Sequence, residues 1–215
     1  LVKEALKRRD IPESVLQQID RILGDREIST FQLQATEAVF ASLQSGEDAG
    51  VVVGAGTGSG KTLSIYLPAL ATLAESSPGG PRVIAIYPRN ELLKDQLATA
   101  LKEVRDLRTG GGPTLTIGAY FGPTPFSSDR DPDERGGWRK RGDKWICPFL
   151  PCPAATASGG ACGADLAWQR PRRGGDAIDW GGLTCQRCGN KVESDELRLT
   201  RQSMQAQPPD VLFTT

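Results

Sequence analysis

Ala55-Gly56-Thr57-Gly58-Ser59-Gly60-Lys61-Thr62 follows Val51-Val52-Val53-Gly54 in a chain of 215 residues. The apolar run predicts a strand, and the alternating glycines predict a loop that can take positive φ and lie close to a ligand. Leu63, Ile65, Tyr66, Leu67, Leu70 and Leu73 then recur at helical spacing. Strand, glycine-rich loop and helix in that order make a phosphate-binding loop. Backbone N–H groups from Thr57 to Thr62 can wrap phosphates, Lys61 can reach the β and γ oxygens, and the Thr62 hydroxyl can hold Mg²⁺. The expectation is a nucleoside triphosphate site on Ala55, Gly56, Thr57, Gly58, Ser59, Gly60, Lys61 and Thr62, with Lys61 and Thr62 serving the chemistry.

Working outward, Asp10-Ile11-Pro12 opens a helix with Val15, Leu16, Ile19, Ile22 and Leu23 on one face, closed by Gly24. With Leu1 to Arg9 it forms a helical lead. Ser29-Thr30 offers an N-cap for a helix carrying Phe31, Ala35, Ala38, Val39 and Leu43, ending near Ser45-Gly46. Beyond the loop and its helix, residues 76–81 read as a turn and Arg82 to Tyr87 as a buried strand. A helix is expected from about Asn90 to Val104, broken by Gly110-Gly111-Gly112-Pro113, and a strand over Leu115 to Tyr120. Strands alternating with helices predict an α/β fold, a parallel sheet with helices on both faces. From about Phe121 to Gln207 this periodicity fails. That stretch holds all four Trp and all five Cys and is too long for an ordinary connection, so it reads as an inserted module. A strand pattern returns at Pro208 to Thr215.

The strict phosphate-loop pattern asks for Gly where this chain has Ala55. Ala-x-x-Gly-x-Gly-Lys-Thr is how motif I reads in superfamily 2 helicases, the DEAD-box and DEAH-like translocases, and the chain resembles them. Phe31-Gln32-x-x-Ala35 resembles the upstream element whose Gln amide reads adenine; Gln32 is the candidate and Gln34 its alternative. Tyr87-Pro88-Arg89-Asn90-Glu91-Leu92-Leu93 resembles motif Ia, closer to the Tyr-Pro-x-Asn-x-Leu of zinc-bearing relatives than to the DEAD-box form. Tyr120-Phe121-Gly122-Pro123-Thr124-Pro125 resembles their Tyr-x-Gly-Asp-Thr-Pro turn, with Pro123 in place of Asp. Residues 208–215 resemble the element around motif Ib, whose Thr hydroxyl meets a phosphate. The resemblance implies a RecA-like P-loop core, ATP with Mg²⁺, a nucleic-acid partner with DNA favoured over RNA, and a second RecA-like lobe following this one. It also makes a role in bacterial DNA defence or repair an expectation.

Lys plus Arg equals Asp plus Glu at 26 each, so no global basic field marks a nucleic-acid partner and such binding must come from local placement. No apolar stretch of membrane-spanning length and no signal-peptide core is present, which predicts a cytoplasmic protein without membrane contact. The five cysteines, in a chain without histidine, argue for thiolate chemistry in a reducing compartment. Cys185-Gln186-Arg187-Cys188-Gly189 is a zinc knuckle. Cys152-Pro153 and Cys162-Gly163 look like the two ends of a second knuckle stretched by a small-residue loop. Four thiolates complete a Zn²⁺ shell, predicting Cys152, Cys162, Cys185 and Cys188 as ligands with Cys147 spare, although Cys147 competes for a place. The zinc module either braces the insertion or presents Trp138, Trp145, Arg139, Lys140 and Arg141 as a stacking and charge surface.

The expected organisation is a helical lead over 1–28, the first part of a RecA-like ATP-binding lobe over 29–120, a zinc-binding insertion over 121–207, and the lobe resuming, truncated, over 208–215. Asp195-Glu196 does not fit the helicase carboxylate pair, because no apolar strand precedes it. The expected function is the ATP-binding part of a nucleic-acid-dependent ATPase or helicase, with little turnover from this stretch alone. The competing readings are a zinc-based binding module with a degenerate nucleotide site, and another P-loop NTPase such as a nucleotide kinase.

Overall fold

The computed structural model describes the chain apart from residues 1, 8, 57, 78, 158, 159, 169 and 171–178, and apart from the side chains of Val2 and Lys3. The chain divides into two units, one formed by Leu1–Ser77 with Glu103–Thr114 and the other by Pro78–Lys102 with Leu115–Thr215.

The first unit is helical. After α1 (Val2–Lys7), Pro12 sets the entry to α2 (Glu13–Leu23), whose buried face is Val15, Leu16, Ile19, Ile22 and Leu23. Gly24, at φ 55°, ends the helix and donates its N–H to Asp20 O at 2.8 Å. Arg26 then forks onto the buried Glu103 carboxylate at 2.8 and 2.6 Å. That hydrogen-bonded pair holds the guanidinium's pKa above its ordinary value. In α3 (Thr30–Gln44), Ser29 and Gln32 form a reciprocal capping box, so two N-terminal N–H groups find side-chain acceptors. Helix α4 (Lys61–Ala74) receives both α2 and α3. Pro68 lies well inside α4, where it leaves the Ser64 carbonyl without its helical donor at a cost of about 3 kcal/mol. Burial of Tyr66, Leu67, Leu70 and Leu73 keeps the helix continuous.

The strand expected over Val51–Val53 does not form: residues 51–56 carry no regular structure, and Val52 is 96% exposed. A strand exists only through its ladder, and no described strand takes this run as a neighbour.

The second unit carries the predicted parallel sheet. Its four strands run in the order β1 (Val83–Ile86), β9 (Val211–Thr214), β2 (Ile117–Tyr120), β8 (Leu197–Arg198), every pairing parallel. Helix α5 (Asn90–Thr109) connects β1 to β2 and α6 (Arg201–Ala206) connects β8 to β9, as parallel strands require. α5 runs five residues past its expected end, and Gly111 at φ 85° turns the chain out of it. β1 is not the buried strand expected: it stands at the edge of the described sheet, and Ile84 and Ile86, 60% and 70% exposed, lie on the one face of the strand that its alternating burial leaves open. Asp210 knots the sheet's entry. One carboxylate oxygen pairs with Arg82 at 2.8 Å, and the other accepts from the Thr116 N–H at 2.8 Å and hydroxyl at 3.1 Å, tying together the approaches to β1, β9 and β2.

Between β2 and β8 stands a five-stranded antiparallel sheet in sequence order: β3 (Arg139–Arg141), β4 (Lys144–Ile146), β5 (Leu166–Trp168), β6 (Leu183–Cys185), β7 (Lys191–Val192). All four tryptophans are at most 5% exposed. Trp138 lies edge-on to Phe149 with centroids 5.8 Å apart and tilted against Trp168 at 5.3 Å. The indole N–H groups of Trp138, Trp168 and Trp180 each donate to a backbone carbonyl at 2.7 Å, to Pro123, Trp180 and Leu197. Trp138 and Trp145 are therefore core and not a stacking platform. The indoles, each of large apolar area, share the segment's interior with Ile146, Phe149, Leu150, Leu166, Leu183 and Val192. Its two ends meet, with Arg201 N–H donating to Pro125 O and Gln202 N–H to Phe126 O, both at 2.9 Å. No described helix is long and apolar enough to cross a membrane.

Candidate nucleotide loop and cysteine centre

The glycine-rich loop enters α4 through Gly60, which serves as N-cap at φ 76°, with Gly58 at the same φ. At Gly60 the need for glycine is double. A Cβ there would sit 2.3 Å from Gln32 Nε2, besides the strain of the left-handed backbone. Lys61 folds its ammonium inward, donating to Ala55 O at 2.9 Å and Gly56 O at 2.6 Å, and the Ser59 hydroxyl donates to Gly56 O at 3.0 Å. The loop therefore curls around its own lysine. Ala55, Gly56, Gly58 and Gly60 are exposed, and Thr62 is half-buried on the first turn of α4. Thr57 lies outside the described residues.

Gln32 is wired into this loop. Its Oε1 accepts from Ser29 N–H at 2.8 Å, and its Nε2 donates to Gly60 O at 3.2 Å. The capping box thus aims the amide at the α4 entrance; Gln34, the alternative, is exposed. Among the motif Ia residues, α5 begins at Asn90, Arg89 is exposed, and the Tyr87 ring stacks on Phe213 at 6.1 Å. Thr214, in the motif Ib-like stretch, donates its hydroxyl to Tyr120 O at 2.9 Å. In the Tyr120–Pro125 turn, Thr124 Oγ1 accepts from Phe121 N–H at 3.1 Å and donates to Ala119 O, so this Thr holds the turn itself.

The sulfurs of Cys152, Cys162, Cys185 and Cys188 all lie within 4.8 Å of one another. Cys152 and Cys188 are 3.6 Å apart and Cys162 and Cys185 3.8 Å. Those separations are far beyond a disulfide's ~2.05 Å. They match the edge of a tetrahedron with Zn–S bonds of ~2.3 Å, about 3.8 Å. The stretched knuckle is a small hairpin: Ala155 and Ala161 form a β-bridge, and Thr156 N–H donates to Gly160 O at 2.7 Å. This closure returns Cys162 beside Cys152. Gly163 and Gly189, at φ 63° and 72°, turn the chain after the second cysteine of each pair.

Burial pushes the Cys152 thiol up. The same burial opposes ionisation of Cys185. There, however, the N–H groups of Cys188 and Arg187, aided by the neighbouring thiols, outweigh it and bring the pKa down to about 6. Those two N–H groups approach Cys185 Sγ at 3.4 and 3.3 Å. Four converging soft donors, one already disposed to be thiolate, suit a Zn²⁺ ion. Cys147 is not among the four; it is buried, and desolvation pushes its thiol up to about 12.

Two further residues shape these regions without a signal of their own in the sequence. Asp210 reads there only as the second residue of a Pro-Asp pair, and no spacing announces its clamp on Arg82 and Thr116. Arg187 lies between the knuckle cysteines, and its guanidinium donates to Cys162 O at 3.3 Å, linking the two cysteine pairs.

Among known proteins, the family model of the DEAD/DEAH box helicases matches residues 30–118, which include the loop, α4, β1 and α5. The chain is also similar to Druantia protein DruE of Escherichia coli (strain UMEA 4076-1), 39% identical over 114 residues. That alignment takes in 46% of this chain and 6% of the relative, so the chain spans a small part of that protein's length. Over residues 30–118, which hold the motif I loop, the chain is similar to the DEAD/DEAH box helicases.

Proposed function

We propose that the chain is the ATP-binding part of a nucleic-acid-dependent ATPase acting on DNA, carrying a Zn²⁺-braced insertion within its first RecA-like lobe. The observation that carries this reading is the loop itself: Gly60 held left-handed against Gln32, with Lys61 and Thr62 opening a helix inside a helicase-family segment. The amides from Thr57 to Thr62 and the α4 N-terminus would receive the phosphates, since a helix N-terminus presents free N–H groups and a partial positive charge. Lys61 would exchange its loop carbonyls for phosphate oxygens, a stronger, charge-assisted set of partners. The Thr62 hydroxyl would hold Mg²⁺, which supplies neutralisation of phosphate charge when bound. Gln32 would meet the adenine edge and report its presence to Gly60 through the bond it already makes. A second RecA-like lobe would complete the ATP cleft.

Zn²⁺ would be held by Cys152, Cys162, Cys185 and Cys188 in a structural role, as a closed four-sulfur shell leaves no position for substrate. Residues 121–207 would then be the inserted module, returning to the parallel sheet through β8 and α6. The helical lead over 1–28 would pack without chemistry of its own.

The test is anisotropy of a labelled single-stranded DNA against RNA of the same sequence, with and without Mg²⁺-ATP. Tighter binding of DNA that responds to nucleotide is expected. Preference for RNA would overturn the polymer assignment, and binding of neither would favour a nucleotide-kinase chemistry for the same loop.

A further inference from the structure

The buried indoles offer no stacking surface, yet the outer edge of the insertion keeps a dense set of cations. β3, Arg139-Lys140-Arg141, is exposed along its whole length and is the edge strand of the antiparallel sheet. Charged residues on an edge strand commonly serve to block strand addition. Two observations exceed that role. Arg141 stands directly opposite Lys144 across the two-residue turn of the β3–β4 hairpin, where Gly142 takes φ 62°. Like charges placed opposite on one face destabilise a hairpin, and a blocking function gains nothing from that placement. In addition, Arg141 shares a cavity of about 390 Å³ with Arg187 of the cysteine knuckle, lined also by Gln186, Gly163, Ala164 and Asp165. Asp165 is engaged at one side by Arg139 at 4.0 Å. Lys140 faces the other way, its ammonium 5.7 Å from the centre of the Trp145 ring.

We infer that the β3–β4 hairpin and the Cys185–Cys188 knuckle together form a docking surface for the phosphate backbone of nucleic acid, with Arg141, Lys144 and Arg187 as the residues that meet it. This rests on the nucleic-acid reading proposed above. The surface is cationic, and among the described residues Asp143 and Asp165 are acidic groups beside it. It therefore recognises charge spacing and not sequence. The knuckle fixes Arg187 through its bond to Cys162 O, so the centre that braces the insertion also orients one of the three cations. A phosphate between Arg141 and Lys144 would relieve their mutual repulsion.

The test replaces Arg141→Ala together with Lys144→Ala, leaving every cysteine and Arg187 intact, and measures affinity for a single-stranded DNA oligonucleotide across a salt series. A charge-keeping pair, Arg141→Lys with Lys144→Arg, serves as the rescue, and zinc content with thermal unfolding checks the fold. The expected result is roughly tenfold weaker binding at low salt, with the slope of log affinity on log salt reduced by about 0.7 for each phosphate no longer neutralised. The rescue pair should restore both. Unchanged affinity and slope in a folded alanine pair, against measurable binding by the unaltered protein, would overturn this surface and leave the nucleic-acid reading standing. Absence of DNA and RNA binding by the unaltered protein would overturn both. Poly-glutamate bound as tightly as DNA, with the same dependence on Arg141 and Lys144, would make the partner an acidic protein and overturn the assignment.

Discussion

The glycine-rich loop and the cysteine centre are both built on glycines with positive φ, and they differ in how far their candidate ligand groups are already gathered. In the loop, Ala55, Gly56, Gly58 and Gly60 are exposed and the Lys61 ammonium is bound to carbonyls of its own loop. In the cysteine centre, Cys152, Cys162 and Cys185 are buried and the four sulfurs lie within 4.8 Å of one another. The difference follows from their surroundings. The loop lies between a run without regular structure and a helix, whereas Cys185 ends a strand of a sheet whose interior holds the indoles beside Ile146, Leu166 and Leu183. A ligand at the loop would have to displace hydrogen bonds, and a metal at the cysteines would find its donors in place.

The sharpest break in the comparison is removal of a thiolate. Cys185→Ser should abolish stoichiometric zinc in elemental analysis and unfold the insertion, because a structural Zn²⁺ contributes roughly 10–16 kcal/mol of apparent binding free energy in small zinc modules. Cys147→Ser should keep the zinc. The reverse pattern would place Cys147 in the shell and contradict the geometry.

A smaller loss is expected from Trp168→Ala, which opens a cavity against Trp138 and frees the Trp180 carbonyl. Destabilisation of about 3–5 kcal/mol in chemical denaturation is the expected cost of removing a buried indole. A change below about 1 kcal/mol would show that the metal, and not the indoles, carries the module's interior.

Asp210→Ala should cost less again, roughly 1.5–3 kcal/mol, the range for a charged hydrogen-bonding group removed from a partly buried site. Hydrogen exchange should rise at Thr116 and at the entries to β1 and β9. Protection unchanged at Thr116 would mean that the carboxylate is not its acceptor.

The mildest change concerns Gln32. Gln32→Ala removes half of the capping box and the bond to Gly60, so about 1 kcal/mol of helix stability should go with it. If the amide also reads the base, the preference for ATP over GTP should shrink in the same variant. A stability loss with the preference intact would confine Gln32 to positioning the loop.

Much of the fold is legible in sequence because its signals are local. Ser29 before α3, Gly24 after α2 and the glycines after α5 are caps, and caps act through neighbouring backbone. What the sequence does not disclose depends on distant partners. The Val51–Val53 run has strand composition, but composition supplies no neighbour to pair with. Ile84 and Ile86 have core composition, but β1 ends up at a sheet edge. The four tryptophans suit surface or core equally until the sheet closes around them. At the candidate sites, residue type and two-residue spacing point to Lys61, Thr62 and the Cys185–Cys188 pair. Placing Cys162 beside Cys152 requires the hairpin closed at Ala155 and Ala161.

The central claim is that the loop from Ala55 to Thr62 receives a nucleotide's phosphates through Lys61. Titration calorimetry of ATP into the protein, with Mg²⁺ present and absent, tests it directly against Lys61→Ala. The account predicts one saturable, Mg²⁺-dependent site in the unaltered protein and binding weakened at least about tenfold in the variant, the loss of one charge-assisted set of hydrogen bonds. Equal ATP affinity in the two proteins would contradict it.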